Sequence, residues 1–62
     1  MTAPARVERL YRIERRRGGR WVRHGQMHGT SPKDAIERYI ACYPEEYRRT
    51  MQPLDFRAEA VR

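Results

Sequence analysis

Arginine side chains crowd one short stretch of this sequence. Six of them fall in one segment: Arg12, Arg15, Arg16, Arg17, Arg20 and Arg23. A guanidinium group presents a planar fork of donors that matches a phosphate or a carboxylate, and its face stacks on aromatic rings and bases. We therefore expect these arginines to bind an anionic partner. The sequence does not separate phosphate from carboxylate, and a solvated polar strand face is the alternative without a partner.

The other reactive residues form no recognisable catalytic or metal site. His24 and His28 fall in a predicted strand, where their spacing places them roughly 13 Å apart, too far to share one metal ion. We therefore expect solvated histidines. No base is fixed by sequence near the single cysteine, Cys42, so we predict a partly buried structural thiol. Gly18-Gly19 joins two predicted strands and does not open a helix, as a phosphate-binding loop does. The prediction is a protein that is not an enzyme and uses no cofactor or metal.

Length and charge narrow the class of protein. The chain has 62 residues, and its formal net charge is +6. A chain of this size builds one thin core and has little room for a catalytic cavity. Residues 1–24 hold eight arginines and two acidic residues, whereas residues 25–62 hold six basic and six acidic residues. The whole excess of positive charge therefore lies in the first part of the chain, where it produces a local field.

The sequence has no segment typical of a membrane span or a signal peptide. The longest mostly apolar run, Tyr39–Tyr43, is far below the roughly 18 residues that a span needs. One cysteine excludes a disulfide framework. We expect a cytoplasmic protein with a disordered leader over residues 1–6 and a single domain over residues 7–62.

The first two predicted elements form a β-hairpin around Gly18-Gly19, because glycine accepts the positive φ angles of a tight turn. A strict two-residue loop would leave Trp21 and Met27 on the face opposite Tyr11 and Ile13. We therefore predict a three-residue loop, Arg17-Gly18-Gly19, with one glycine in a bulge. The buried face then carries Val7, Tyr11, Ile13, Trp21 and Met27. The open face carries Glu8, Leu10, Arg12, Glu14, Arg16, Arg20, Val22, His24, Gln26 and His28.

A helix and a third strand follow. Ser31 is a preferred N-cap residue, Pro32 suits the first helical position, and Asp34 lies three residues after the cap. Apolar residues recur at helical spacing and predict the stripe that faces the sheet: Ala35, Ile36, Tyr39, Ile40 and Tyr43. Pro44 closes this helix and could begin a further turn. Alternation over residues 54–61 predicts the last strand.

The order of elements, β-β-α-β, predicts an α+β fold. We expect a two-layer sandwich in which one helix covers one face of a three-stranded antiparallel sheet of order 2-1-3. The alternative places strand 3 parallel to strand 2. The predicted core takes up most of the aromatic residues, namely Tyr11, Trp21, Tyr39 and Phe56. The open face then shows arginines without aromatic rings, which disfavours base stacking.

This layout resembles a group of small phage-encoded proteins. Its most specific part is the junction Gly29-Thr30-Ser31-Pro32-Lys33-Asp34-Ala35, which lies between the hairpin and a short helix. In length and in this motif the chain resembles phage inhibitors of bacterial RNA polymerase, with small anti-CRISPR proteins as the neighbouring group. The resemblance implies a bacterial host cell, and it implies that Arg57 and Arg62 near the final strand contact the partner.

These observations predict a small, basic, non-enzymatic binding protein of phage or mobile-element origin. Its arginine hairpin, with Arg57, docks on a bacterial nucleic-acid-handling complex and inhibits or modulates it. The alternative is an accessory protein that binds DNA or RNA directly through phosphates, without sequence specificity. An acidic protein surface is a third partner class. No membrane partner is expected, and the oligomeric state stays open.

Overall fold

Three antiparallel strands form one sheet. The computed structural model describes residues 7–61, in which β1 spans Arg9–Arg17, β2 spans Arg20–Gly29 and β3 spans Phe56–Ala60. The strand order is β2-β1-β3, and both neighbouring pairs are antiparallel. The predicted α+β fold with sheet order 2-1-3 is confirmed. The predicted leader, residues 1–6, and Arg62 lie outside the described residues.

The main helix, α1, spans Pro32–Ala41 and begins where the sequence predicts. The Ser31 hydroxyl accepts a hydrogen bond from the Asp34 N–H at 3.0 Å. The Asp34 carboxylate accepts from the Thr30 N–H at 2.8 Å, and this bond holds the pKa of Asp34 below its usual value. Asp34 also pairs with Arg38 at 3.1 Å, one helical turn later. Local hydrogen bonds therefore fix the start of α1 at the end of β2.

Two short elements connect α1 to β3. A one-turn helix, α2, spans Glu45–Arg48 and is the further turn predicted after Pro44. A 3-10 turn then spans Pro53–Asp55. Met51, between these elements, is buried, although the sequence gives it no periodic pattern to join. Leu54 is 88% exposed, so the predicted start of the last strand is two residues too early.

None of the helices within residues 7–61 has the length and apolar character needed to cross a membrane.

The core lies between α1 and the sheet face that carries the odd-numbered residues of β1. Ile13 at its centre is fully buried. The other buried members are Tyr11, Ala35, Ile36, Tyr39, Met51 and Phe56. Met27, Ile40, Tyr43 and Ala58 are partly buried against them. The predicted core is confirmed for most of these residues and is wrong for Val7, which is 72% exposed, and for Trp21.

The hairpin has a tighter turn and a later bulge than predicted. Arg17 pairs with Arg20, so the loop consists of Gly18 and Gly19 alone, with φ angles of 54° and 77°. The predicted three-residue loop is therefore wrong. The register shifts by one residue between Ile13 and Glu14 of β1, which leaves His24 of β2 as the bulged residue. Both glycines thus take the positive φ of a two-residue turn, and the bulge restores the core register.

The bulge divides β2 into two parts with opposite facing. After it, Met27 pairs with Tyr11 on the core side, as predicted. Before it, the pairs Arg16–Trp21 and Glu14–Arg23 place Trp21 and Arg23 on the open face. Three residues that the sequence predicts on the open face lie instead on the opposite face, which α1 covers further along the sheet: Arg20, Val22 and His24.

Candidate anion-binding hairpin

The end of the hairpin extends past the rest of the sheet. β3 pairs with β1 only from Tyr11 to Arg15, so residues 16–21 form a ribbon of two strands without a third. We call residues 16–23 the hairpin tip. The molecule measures 47 Å in its longest dimension and 15 Å in its shortest. A two-stranded ribbon is thus accessible from both faces and from its end.

Four arginines of the hairpin tip point into solvent. Arg16, Arg17, Arg20 and Arg23 are exposed, and within residues 7–61 none of them forms an ion pair. The sequence contains no acidic residue between Glu14 and Asp34. Arg17 and Arg20 are direct cross-strand partners, an arrangement that is unfavourable for like charges. The tip therefore carries a concentrated positive charge that the surrounding chain does not neutralise.

The other predicted contact residues are already engaged within the fold. Arg12 forms an ion pair with Glu59 at 2.7 Å. Arg57 donates from Nε to the Glu14 carboxylate at 2.8 Å. Arg15 donates to the Thr50 carbonyl at 3.0 Å, and its guanidinium lies 5.3 Å from the centre of the Phe56 ring. Arg12, Arg15 and Arg57 thus tie β1 to β3 and to the segment before it.

Trp21 lies on the open face, beside Arg57. It is 38% exposed, and the Arg57 guanidinium lies 4.8 Å from the centre of its ring. On the other face of the tip, Val22 is 46% exposed. The expectation of an open face without aromatic rings is therefore wrong, and the argument that it gave against base stacking no longer holds. Gly25 is the sequence signal for this outcome, since a glycine within a strand often marks a bulge.

His24 sits in the bulge, partly buried against α1, and is not the solvated residue that the sequence suggests. Its Nδ1 atom lies 2.6 Å from the Tyr39 hydroxyl, which in turn lies 3.0 Å from the Tyr43 hydroxyl. Burial, followed by the charges of Arg15 and Arg17, lowers the pKa of His24. Burial raises the pKa of Tyr39. The Tyr39 hydroxyl also donates to the His24 carbonyl at 3.2 Å, so the cluster joins the base of the hairpin tip to α1.

The remaining candidates for chemistry stay apart from one another. His28 is exposed, as predicted, whereas Cys42 is exposed rather than partly buried. In the part of the chain that the structure describes, no three His, Cys, Asp or Glu side chains are grouped to hold a metal ion. No family model, curated protein or solved structure that was compared with the chain matches it. Function is therefore inferred from the hairpin tip and its charges.

Proposed function

We propose that this chain is a non-enzymatic protein that binds nucleic acid through the phosphate backbone, with the hairpin tip as the contact. The observation that carries the proposal is the set of four exposed arginines at the hairpin tip, three of them on the two-stranded ribbon of residues 16–21, without ion-pair partners within residues 7–61. Guanidinium groups bind phosphate bidentately. Such contacts fix position without reading sequence, so the binding is largely independent of base order.

The distribution of the arginines over both faces of the tip favours phosphate over a flat acidic surface. Arg16 and Arg23 lie on the open face, whereas Arg17 and Arg20 lie on the other. A flat partner meets one face of a ribbon, but a groove with a phosphate wall on each side meets both. The major groove of B-DNA is about 12 Å wide and admits a two-stranded β-ribbon. A duplex groove is therefore the ligand geometry that uses the whole tip.

Docking on a protein of a bacterial nucleic-acid-handling complex, as phage inhibitors do, is the second candidate. Its support is the exposure of Trp21 and Val22 among the tip arginines. Tryptophan and arginine are among the residue types enriched at the hot spots of protein interfaces. Affinity capture from nuclease-treated bacterial lysate tests this candidate. It predicts a stoichiometric protein partner that stays bound after nuclease treatment and is no longer captured when Trp21 is replaced by alanine.

The phosphate proposal is tested by a salt titration of binding to a short labelled DNA duplex, followed by fluorescence anisotropy. Four phosphate contacts predict a slope of log K against log salt of about −3.6. The variant with Arg16→Gln, Arg17→Gln and Arg20→Gln should reduce the size of this slope by about 2.7, because three contacts are lost. Parallel measurements with RNA duplex and single-stranded DNA show which class of nucleic acid the protein binds most tightly.

A matched control separates the hairpin tip from net charge. Lys33→Gln, Arg48→Gln and Arg49→Gln remove the same amount of positive charge from exposed positions on α1, α2 and the turn that follows. This variant should keep nearly the full salt slope. Equal losses in the two triple variants would show that binding follows net charge alone. Absence of binding to any nucleic acid at low salt would refute the proposal.

A further inference from the structure

The outer edge of β3 presents free backbone groups. Within residues 7–61 no strand pairs with this edge. Val61 donates its N–H to the Leu10 carbonyl at 2.8 Å. Hydrogen-bonded positions alternate along an antiparallel strand, so Glu59 and Arg57 also bond to β1. The outward N–H and C=O groups therefore belong to Phe56, Ala58 and Ala60.

The opposite edge of the sheet is protected, whereas the β3 edge is regular. β2 carries the bulge at His24 and two exposed arginines, Arg20 and Arg23. Bulges and charged side chains are usual devices that prevent an edge from pairing with another chain, and arginines on both partners would also repel each other. β3 has an unbroken register with β1 over its five residues. Of the two edges, β3 is the one that is open to a further strand.

We propose that two copies of this chain pair through β3, antiparallel, about a two-fold axis that passes beside Ala58. This register places Ala58 opposite the partner's Ala58, and Phe56 opposite the partner's Ala60. All outward N–H and C=O groups of β3 then form hydrogen bonds between the copies. The two sheets join into one of six strands. The hairpin tips stay free at opposite ends, so the pairing does not depend on the proposed function.

Charge selects this register. Arg57 comes to lie opposite the partner's Glu59, and each of these side chains already pairs within its own chain, at 2.8 Å with Glu14 and at 2.7 Å with Arg12. The open face of the joined sheet then shows an alternating row of acidic and basic side chains. A shift to either adjacent register that keeps the same facing would place Arg57 opposite Arg57, or Glu59 opposite Glu59. Like charges directly opposite each other are destabilising.

An apolar groove borders the same edge. Its volume is about 460 Å³, and its apolar lining consists of Pro32, Ile36, Pro53, Leu54, Phe56 and Ala58. No residue of β1 or β2 lines it, so it lies on the β3 side of α1. A partner strand along β3 runs beside this groove and removes part of its apolar surface from water. Hydrophobic burial therefore adds to the backbone hydrogen bonds.

Sedimentation equilibrium of the full chain over a range of concentrations gives the first test, with a reversible dimer as the expected result. Ala58→Pro deletes an outward N–H that β1 does not use, and proline is tolerated on edge strands. Loss of one donor from each copy should weaken the dimer about tenfold or more. Far-UV circular dichroism checks that the variant keeps its fold. A chain that is monomeric at every concentration up to the millimolar range would overturn the proposal.

Disulfide trapping tests the register even if Ala58→Pro fails to fold. Two proteins are made with Cys42→Ser, one with Arg57→Cys and the other with Glu59→Cys. Position 57 and the partner's position 59 form a non-hydrogen-bonded pair about 4.5 Å apart, within the range that a disulfide spans. Oxidation of the mixture should therefore give the mixed dimer much faster than either protein alone gives its own dimer. Equal rates in all three samples would rule out the proposed register.

Discussion

Replacement of Gly29 by alanine is the sharpest test of how α1 sits on the sheet. A Cβ atom at this position would lie 2.7 Å from the Ala35 backbone nitrogen and 2.8 Å from its Cα atom. These atoms belong to the first turn of α1, where the Ala35 N–H also donates to the Ser31 carbonyl at 2.9 Å. A side chain could rotate out of the way, but a hydrogen-bonded backbone cannot. The helix must therefore move away from β2.

The expected cost is large for a chain of this size. Overpacking of a core costs about 1–3 kcal/mol, and we expect the upper end at Gly29, because the obstacle is backbone. The total free energy of unfolding of a domain with this number of residues is about 3–9 kcal/mol. A loss of about 3 kcal/mol lowers Tm by roughly 12–24 °C. Gly29→Ala should therefore remove between about a third and all of the free energy of unfolding.

Urea denaturation followed by far-UV circular dichroism measures this cost, and Gly18→Ala is the matched control. Gly18 has a φ of 54°, and a Cβ atom at this position would have no neighbour within 4 Å. Alanine there should cost only the roughly 1–2 kcal/mol of a left-handed backbone conformation. If Gly29→Ala is no more destabilising than Gly18→Ala, the close contact between α1 and β2 does not exist, and the described packing of the helix is wrong.

Two further predictions concern the residues around the bulge. Trp21→Ala should lower the free energy of unfolding by less than about 1 kcal/mol in the same urea assay, because the ring is on the open face, whereas Ile13→Ala should cost about 2–5 kcal/mol. A loss of stability for Trp21→Ala as large as that for Ile13→Ala would show that the Trp21 ring is part of the core. His24 should make the protein less stable as pH falls below about 6.5, since its pKa is lower in the folded chain and the unfolded chain therefore binds more protons. His24→Gln should reduce the difference between the urea midpoints at pH 7.5 and about pH 5.5. An unchanged difference would exclude His24 as the source of the pH dependence.

The start of α1 was predictable because every signal for it is local. Ser31, Pro32 and Asp34 act through hydrogen bonds and backbone preferences within one turn of helix, and the structure shows the same bonds. The strand order was also predictable, since the helix returns the chain so that β3 runs antiparallel to β1. Met51 was not, because its burial depends on where two short turns place the connector.

The register of the hairpin shows where local reasoning fails. Two devices can reconcile a Gly-Gly turn with the buried positions of β1: a longer loop, or a tight loop followed by a bulge. The chain uses the second, at His24 and Gly25. A Cβ atom at Gly25 would lie 2.6 Å from the Tyr39 hydroxyl, so a larger residue there would displace the Tyr39 side chain where α1 crosses β2. That contact joins residues far apart in sequence, and only the packed structure reveals it.

The predicted binding residues separate into two roles, and contacts between residues far apart in sequence decide which role each one has. Arg12 and Arg57 find their partners between β1 and β3, and Arg15 finds its partner in the segment before β3, through contacts that span 35 to 47 positions of the chain. Their replacement should disturb the fold as well as any binding. The tip arginines have no such contacts within residues 7–61, and three of them, Arg16, Arg17 and Arg20, lie beyond the part of β1 that pairs with β3. Binding that depends on the tip can therefore be removed without loss of stability, and this separation distinguishes a contact surface from a structural charge network.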